Sequence, residues 1–265
     1  MKQLKVKTAF IKKIKPDVFL LGLDSNYLAK TAKPGQFLHV KVDDKTTILR
    51  RPLSIHKIEK NLIYILFRVR GRGTKLLSEC KKGNIFDVIG PLGNGFTIKP
   101  KTEDQKSKTN ILVAGGMGVA PLVFLSEKLA KIKNSKLEIK NVVLLGAKSK
   151  KEVLAEGEFK KLGFKINIAT DDGSRGHKGS VVDLFKKILS AKRYPLSANL
   201  YACGPKEMFY EIKKVLEKYP RIQAQVSFEQ FMGCGLGICY GCVIETKEGY
   251  KKVCKDGPVF DLKII

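Results

Sequence analysis

The sequence has no tryptophan, only three histidines, and about half as many acidic as basic residues (25 Asp and Glu against 51 Lys and Arg). No Ser-His-Asp pattern and no metal-ligand spacing surrounds His39, His56 or His177. An acid–base constellation for an organic substrate is therefore not recognisable. We expect structural or surface roles for the three histidines and assign no catalytic residue.

Long hydrophobic runs are also missing. The longest nearly apolar stretch, residues 111–125, is broken by glycines and a proline and is too short to cross a bilayer. The early apolar cluster at residues 18–23 is too short for the core of a signal peptide. We therefore expect a cytoplasmic protein without a membrane span. A reducing cytosol favours metal ligation over disulfides for clustered cysteines.

The formal net charge of +26 raises the possibility of nucleic-acid binding. Only 8 of the 51 basic residues are arginine, the lysines are spread along the chain, and no RNA or DNA motif accompanies them. A generally lysine-rich surface is the simplest interpretation, and an acidic protein partner is an alternative. A nucleic-acid-binding protein would show salt-sensitive binding and no colour.

Four of the six cysteines form the pattern C-x4-C-x2-C-x11-C: Cys234, Cys239, Cys242 and Cys254. This spacing is typical of the plant-type ferredoxin loop that holds a [2Fe–2S] cluster. Glycines at positions 233, 235, 237 and 241 suit a loop that wraps tightly around such a cluster. Structural zinc and unligated thiols remain alternatives, although zinc usually shows two C-x2-C pairs and only one is present.

Residues 1–99 predict a small antiparallel barrel of six strands with almost no helix. The expected strands are residues 5–11, 18–23, 37–42, 49–56, 62–69 and 84–89. One of them carries Arg51-Pro52-Leu53-Ser54, where an arginine fork suits a diphosphate and a hydroxyl can hydrogen-bond a flavin ring. The turn Gly71-Arg72-Gly73-Thr74 opens a short helical stretch whose N-terminus favours an anion.

Residues 108–225 predict a doubly wound parallel sheet because strands alternate with helices. Residues 99–110 contain no large apolar side chain and are interpreted as a linker. The expected strands are residues 111–114, 141–145, 165–169, 199–202 and 222–227. The expected helices are an amphipathic one that follows Pro121 and runs to about Lys133, then residues 152–162, 181–189 and 206–217.

Three loops meet the carboxyl edge of that sheet, where ligands bind in such folds: residues 115–121, 170–174 and 203–205. The first loop is G-x-G-x-x-P from Gly116 and meets the dinucleotide fingerprint only in part. Lysines at 148, 150 and 151 occupy the stretch where an acidic residue is expected. The choice between NAD and NADP therefore stays open.

The motifs R-P-L-S-I, G-x-G-T and G-P-L-G-N-G-F in the first hundred residues resemble the FAD-binding barrel of the ferredoxin-reductase superfamily. Leu53 stands at the Tyr position of that superfamily's R-x-Y-S/T motif, so an aromatic stacking contact is absent or comes from elsewhere. The resemblance implies that FAD is held at its diphosphate by Arg51, Gly73 and Thr74 and at the reactive edge of the flavin ring by Ser54, with Arg68, Val69 and Arg70 bordering the flavin. Pro52 and Leu53, between Arg51 and Ser54 in the motif, belong to the same implied FAD-binding set.

The string G-G-x-G-x-A-P followed by a late C-G-P resembles the pyridine-nucleotide domain of the same superfamily. The resemblance places Gly116 and Gly118 at the NAD diphosphate and Cys203 and Gly204 at the nicotinamide. It places Asp172 or Ser174 near the ribose. A buried, inert thiol is the alternative for Cys203.

The order of the parts is a flavin barrel, a nucleotide domain and a cluster module at residues 226–265. A flavin can divide the electron pair of a nicotinamide into single electrons for a cluster. The tail, with M-G-C-G-L-G-I-C-Y-G-C and V-C-K-D-G-P-V-F, resembles the electron-transfer subunits of NAD-dependent dihydroorotate dehydrogenase. That family implies electron flow from a separate FMN-containing catalytic subunit through [2Fe–2S] and FAD to NAD+, in a heterotetramer with two copies of each subunit.

Two related interpretations remain. The chain also resembles the small subunit of an NAD(P)H–ferredoxin transhydrogenase or sulfide dehydrogenase, which has the same three parts. That group commonly replaces one cluster cysteine with Asp, so the four cysteines here count against it. A stand-alone NADH-dependent ferredoxin reductase would need no partner. Met232 and Phe260 flank the cluster loop, where they pack either on a partner or in the core.

Overall fold

The computed structural model describes residues 1–42, 47–98, 108–132, 139–191 and 198–265. These residues form two compact units. The first comprises Met1–Gly95 and Gln230–Pro258, and the second comprises Phe96–Glu229 and Val259–Ile265. The division into domains at 1–99, 108–225 and 226–265 stays a prediction. Residues 99–107, which hold most of the expected linker, lie outside the described residues.

The first unit contains a curled antiparallel sheet of seven strands in the described part of the chain, in the order β4-β3-β7-β1-β2-β6-β5. The expected antiparallel barrel is confirmed as a half-barrel, but the count of six strands is wrong. The additional strand β5 has only three residues, too few for an alternating pattern to reveal it. The strands are β1 Lys2–Lys15, β2 Val18–Asp24, β3 Phe37–Lys41, β4 Arg51–Ser54, β5 Lys57–Glu59, β6 Leu62–Arg68 and β7 Ile85–Leu92.

Two short helices accompany this sheet. Helix α2, Arg72–Ser78, lies where the Gly71–Thr74 turn predicted a helical stretch. Helix α1, Asn26–Thr31, was not expected. It is capped by Ser25, whose hydroxyl oxygen accepts a hydrogen bond from the Leu28 N–H at 3.4 Å. Six residues span less than two turns, so no hydrophobic period marks them in the sequence.

A half-buried ion pair joins the loop before β4 to β7. Arg50 Nη2 lies 2.7 Å from Asp87 Oδ1, and the two side chains are only 17% and 15% exposed. Gln3 donates two further hydrogen bonds to the same carboxylate, at 3.0 and 2.8 Å. Burial alone would raise the pKa of Asp87, but the bonds from Gln3 and Arg50 outweigh it and hold the pKa below its ordinary value of 3.8.

We expect Asp87→Asn to lower the free energy of unfolding by roughly 2 kcal/mol at pH 7, because it removes hydrogen bonds to a charged group. Since the folded-state pKa is depressed, this stabilisation is fully present above pH 3.8 and is lost as the pH falls below that value. Urea unfolding at pH 7 and pH 3 measures both effects. Glu245→Gln, at an exposed carboxylate, serves as the control. Equal destabilisation by Asp87→Asn at both pH values would contradict this account.

The second unit contains a parallel sheet with one antiparallel edge, in the order β11-β10-β9-β8-β12-β13-β16. All five expected strands are present. The two unexpected ones, β11 and β16, have two and three residues. The strands are β8 Lys108–Gly115, β9 Ile139–Ala147, β10 Lys165–Thr170, β11 His177–Lys178, β12 Ala198–Cys203, β13 Gln223–Ser227 and β16 Val259–Asp261.

The helices of this unit are α3 Val119–Ala130, α4 Glu156–Lys161, α5 Val181–Ser190 and α6 Lys206–Leu216. The amphipathic pattern expected for α3 is wrong, because its first eight residues are all buried; Lys133 lies outside the described residues. Helix α4 is shorter than expected because Ala155 takes a left-handed φ of 57° and separates it from the turn at Lys150–Glu152. No helix among the described residues is long and apolar enough to span a bilayer.

The segment Gln230–Pro258 of the first unit carries the cysteine-rich loop. The loop is followed by a hairpin of β14 Val243–Thr246 and β15 Gly249–Lys252. Asn94, just after β7, anchors the far end of the segment. Its side chain donates hydrogen bonds to the carbonyls of Lys255 and Asp256 at 3.2 and 2.9 Å.

Candidate functional site

The two motifs expected at the flavin phosphates come together in the first unit. An ideal Cβ built on Gly73 would lie 2.8 Å from the guanidinium carbon of Arg51, so a side chain at position 73 would displace the guanidinium from this place. Arg51 Nη1 donates to the Leu49 carbonyl at 2.7 Å, which fixes the side chain from one side. A half-buried guanidinium against the first turn of α2 suits a diphosphate.

The other residues expected around the flavin differ in their exposure and in the partners that their side chains already have. Ser54 and Pro52 are half-buried on β4, whereas Leu53 points into the core and is 8% exposed. Thr74 uses its hydroxyl inside its own turn, where it accepts from the N–H groups of Arg70 and Gly71. Arg68 Nε lies 3.0 Å from the Asp17 carboxylate, so its charge is already paired. Val69 is half-buried and Arg70 is exposed.

The four clustered cysteines form two pairs. The Cys239 N–H donates to Cys234 Sγ at 3.4 Å, and the two thiols are themselves within hydrogen-bonding reach. The Cys254 N–H donates to Cys242 Sγ at 3.4 Å, and these thiols are likewise in contact. A [2Fe–2S] cluster takes two thiolates at each of its two irons. The four thiols, arranged in two pairs, therefore fit a two-iron cluster.

Backbone N–H groups in the loop face the sulfurs. Leu236 N–H donates to Cys234 Sγ at 3.4 Å and Gly237 N–H donates to Cys254 Sγ at 3.1 Å. Burial alone would raise the pKa of Cys234, but hydrogen bonds, first those from Cys239 and Leu236, lower it to about 6. Burial and the neighbouring Cys242 raise the pKa of Cys254 to about 12. Gly235 and Gly237 take positive φ values of 68° and 80°, as the tight wrap requires.

A lysine holds the loop from outside. Lys252 Nζ donates to the Gly237 carbonyl at 2.9 Å and lies 4.3 Å from the centroid of the Tyr240 ring. This cation sits beside the loop that would carry an anionic cluster, where it favours negative charge.

The glycine loop and the Cys203 loop meet in the second unit. An ideal Cβ on Gly118 would overlap the carbonyl group of Cys203, so this close approach requires glycine. Gly116 has a positive φ of 54° and open space beyond its Cα. Gly204 packs on Gly115 and Met208. Cys203 is 1% exposed, and burial raises its pKa well above the ordinary value, which leaves a neutral thiol.

The residues expected near the ribose lie at the next strand end. Ser174 accepts a hydrogen bond from the Lys150 N–H at 2.8 Å and donates its own N–H to Asp172 at 2.9 Å. Hydrogen bonds that Ser174 donates to Asp172, first from its hydroxyl and then from its N–H, lower the pKa of this exposed carboxylate. Arg175, which the sequence did not single out, forms a two-pronged pair with Glu156 at 2.8 and 2.7 Å. The expected lysine stretch and the expected ribose residues are thus linked.

The cluster loop exposes large hydrophobic side chains. Phe231, Ile238 and Tyr240 are 90%, 75% and 73% exposed. Met232 and Phe260 are instead buried, and Phe260 packs on Phe228 with ring centroids 5.9 Å apart. Core packing, one of the two roles considered for Met232 and Phe260, is therefore the one observed.

Two protein families and several relatives match this chain. Residues 229–265 match the family described as the iron-sulfur cluster binding domain of dihydroorotate dehydrogenase B. Residues 112–214 match the oxidoreductase NAD-binding domain. A protein of Fusobacterium nucleatum named dihydroorotate dehydrogenase B (NAD(+)), electron transfer subunit, is 39% identical over 252 residues, 93% of this chain and 92% of its own length. A protein of Desulforamulus reducens with the same name is 39% identical over 254 residues, with the same coverage.

Two solved structures share the fold. A NADH-dependent reduced ferredoxin–NADP oxidoreductase, studied for flavin-based electron bifurcation, superposes with a TM-score of 0.83 at 27% identity, over 99% of this chain and 90% of that one. The ferredoxin NADP+ reductase of Neisseria gonorrhoeae, with bound FAD and NADP, gives 0.67 at 16% identity, over 86% and 100%. The second likeness concerns the fold alone.

The fold and the thiol centre define an iron–sulfur oxidoreductase of the ferredoxin-reductase type. This confirms the predicted fold class and favours the iron–sulfur interpretation of the cysteines over zinc. The chain belongs to the family of electron transfer subunits of dihydroorotate dehydrogenase B (NAD(+)).

Proposed function

We propose that the chain takes electrons from an FMN-containing catalytic subunit that oxidises dihydroorotate to orotate, and passes them through a [2Fe–2S] cluster and FAD to NAD+. Bound FAD exchanges a hydride with the nicotinamide and single electrons with the cluster. The single observation that carries the proposal is the two-pair arrangement of Cys234, Cys239, Cys242 and Cys254 in the same compact unit as the Arg51–Gly73 site.

Separate sets of residues are proposed to bind the cluster, FAD and the nicotinamide nucleotide. We propose that the four cysteines ligate the cluster, with backbone N–H groups of the loop stabilising the sulfurs. For FAD, we propose that Arg51 and Gly73 carry the diphosphate contact, supported by Thr74, which shapes the turn. Ser54, Pro52, Leu53, Arg68, Val69 and Arg70 complete the proposed FAD set.

The second unit holds the nucleotide in this proposal. Gly116 and Gly118 allow the diphosphate to approach the N-terminus of α3. Cys203 and Gly204 lie by the nicotinamide, and Asp172 with Ser174 binds the ribose.

We propose that the catalytic subunit docks on the exposed side chains Phe231, Ile238 and Tyr240, because they lie on or beside the cluster loop, where single electrons enter the chain from that subunit. An assembly of two plus two subunits and a cytoplasmic location stay predictions.

We expect Phe231→Asp to weaken association with the catalytic subunit by roughly 30-fold, the effect of losing about 2 kcal/mol at an interface centre. Titration calorimetry of the two purified subunits measures this. Tyr250→Asp, at another largely exposed ring, on the β14–β15 hairpin, is the matched control. Unchanged affinity for the Phe231 variant would show that the partner binds elsewhere.

Co-expression with the catalytic subunit tests the proposal as a whole. The expected result is a stable complex that reduces NAD+ when given dihydroorotate. The overall likeness to the NADH-dependent ferredoxin–NADP oxidoreductase favours one alternative, the small subunit of a transhydrogenase. A stable complex with a different partner that exchanges electrons between NAD(P)H and ferredoxin, and is inactive with dihydroorotate, would establish that alternative. A monomeric chain fully active with ferredoxin would instead indicate a stand-alone reductase.

A further inference from the structure

His39 is a buried imidazole with unsatisfied nitrogens. It lies in β3, its exposed fraction is 0%, and neither Nδ1 nor Nε2 has a hydrogen-bond partner in the structure. Buried polar groups without a partner are uncommon in folded proteins and cost free energy, so each one calls for a specific explanation.

The cluster loop packs on this ring. An ideal Cβ on Gly235 would lie 2.5 Å from His39 Nδ1 and 2.9 Å from its Cε1. Gly235 also has a positive φ of 68°, so both its conformation and its surroundings require glycine. The peptide next to the cluster ligand Cys234 is thereby held against the Nδ1 side of the imidazole.

The imidazole has an N–H to donate and two acceptors beside it. The backbone groups of Cys234 and Arg50 lie next to the buried ring, although neither completes a hydrogen bond with it in the structure. A neutral imidazole carries a single N–H, so it can satisfy one of these carbonyls at a time.

The strand of His39 also borders the expected flavin motif. In the register of β3 with β4, His39 lies opposite Pro52 and Val40 lies opposite Arg51. His39 thus contacts the cluster loop, and its strand β3 pairs with β4, the Arg51–Ser54 segment.

We propose that His39 is a positioning residue whose Nδ1–H donates to the Cys234 carbonyl in the cluster-loaded protein, fixing the loop on the flavin-binding sheet and raising the cluster's reduction potential. This inference rests on the proposed function, because it requires a cluster in the loop. Groups just outside the ligands commonly orient them and tune the metal centre. Hydrogen bonds around the sulfurs are among the factors that set cluster potentials. A hydrogen-bond donor that points towards the loop stabilises the reduced cluster, which carries one more negative charge than the oxidised cluster, and therefore raises the reduction potential.

Three substitutions of His39 separate the hydrogen bond from packing. His39→Asn places an amide where Nδ1 lies, His39→Gln places it near Nε2, and His39→Leu fills the space without a donor. His56→Leu removes another buried imidazole of the same unit and is the matched control. The full chain is purified without oxygen, the cluster potential is measured by redox titration followed by electron paramagnetic resonance, and iron release to a chelator is timed.

We expect His39→Leu and His39→Gln to lower the potential by about 59 mV, the shift for a tenfold change in a one-electron equilibrium. We expect iron release from both to be faster by roughly 10-fold or more. His39→Asn restores both quantities, and His56→Leu changes neither.

A wild-type potential and release rate in His39→Leu would overturn the inference. So would equal changes in the Asn and Leu variants, since packing alone would then explain them. If His39→Leu holds no cluster, a loaded His39→Asn with the wild-type potential supports the inference, and loss of the cluster from both overturns it. A wild-type chain without iron would overturn the proposed function itself.

Discussion

Cys239→Ser is expected to abolish dihydroorotate-dependent NAD+ reduction by the assembled complex while leaving the reduction of the flavin by NADH largely intact. Cys239 shares one thiol pair with Cys234, so its loss removes a ligand from one iron. Substitutions just outside the ligand shell of metal sites commonly cost 10- to 100-fold, so losing a ligand should cost at least about 100-fold. Hydride exchange between NADH and the flavin does not involve the cluster and should persist.

Steady-state assays with dihydroorotate and stopped-flow reduction of the flavin by NADH measure the two effects on one preparation. Cys80→Ser is the matched control, because Cys80 is a half-buried thiol of the same unit that lies outside the cluster loop. A Cys239→Ser chain that no longer accepts hydride from NADH would refute the order of carriers, provided that it still binds FAD.

Arg51→Leu is expected to weaken FAD binding by roughly 100-fold, since two hydrogen bonds from a guanidinium to a phosphate together contribute about 3 kcal/mol. Arg51→Lys keeps the charge but not the fork, and an intermediate loss of about 10-fold is expected. Fluorescence titration of the FAD-depleted chain with FAD measures both dissociation constants.

Arg50→Gln separates binding from folding. Arg50 is the neighbouring arginine, but its guanidinium is engaged by Asp87 and its loss should lower the melting temperature. Its FAD affinity should stay within a few-fold of wild type. If Arg50→Gln weakens FAD binding as much as Arg51→Leu does, the assignment of Arg51 to the diphosphate is wrong.

The fold was largely predictable because its signals are local. Buried apolar runs such as residues 142–145 mark the parallel strands, and Ser180 with Asp183 forms the capping box at the start of α5. The four cluster cysteines likewise lie within 21 consecutive residues, 234–254, so their spacing alone predicts the cluster loop. Elements of two or three residues, such as β5, β11 and β16, carry no period and could not be foreseen.

Contacts between distant segments were not predictable. The approach of Arg51 to Gly73 joins two motifs that the sequence had named separately, and the packing of Gly235 on His39 joins residues almost 200 positions apart. No spacing rule distinguished His39 from the other histidines. Exposure also escaped the sequence: Phe231 is exposed and the adjacent Met232 is buried, because the local backbone turns one outward and the other inward.

The central claim is that the two thiol pairs hold an iron–sulfur cluster in the same chain as a flavin. Metal, sulfide and flavin analysis of the chain purified without oxygen tests this most directly, together with its electron paramagnetic resonance spectrum after reduction. The account predicts about two irons, two sulfides and one FAD per chain, and a one-electron signal. A colourless chain with zinc bound to Cys234, Cys239, Cys242 and Cys254 would contradict it.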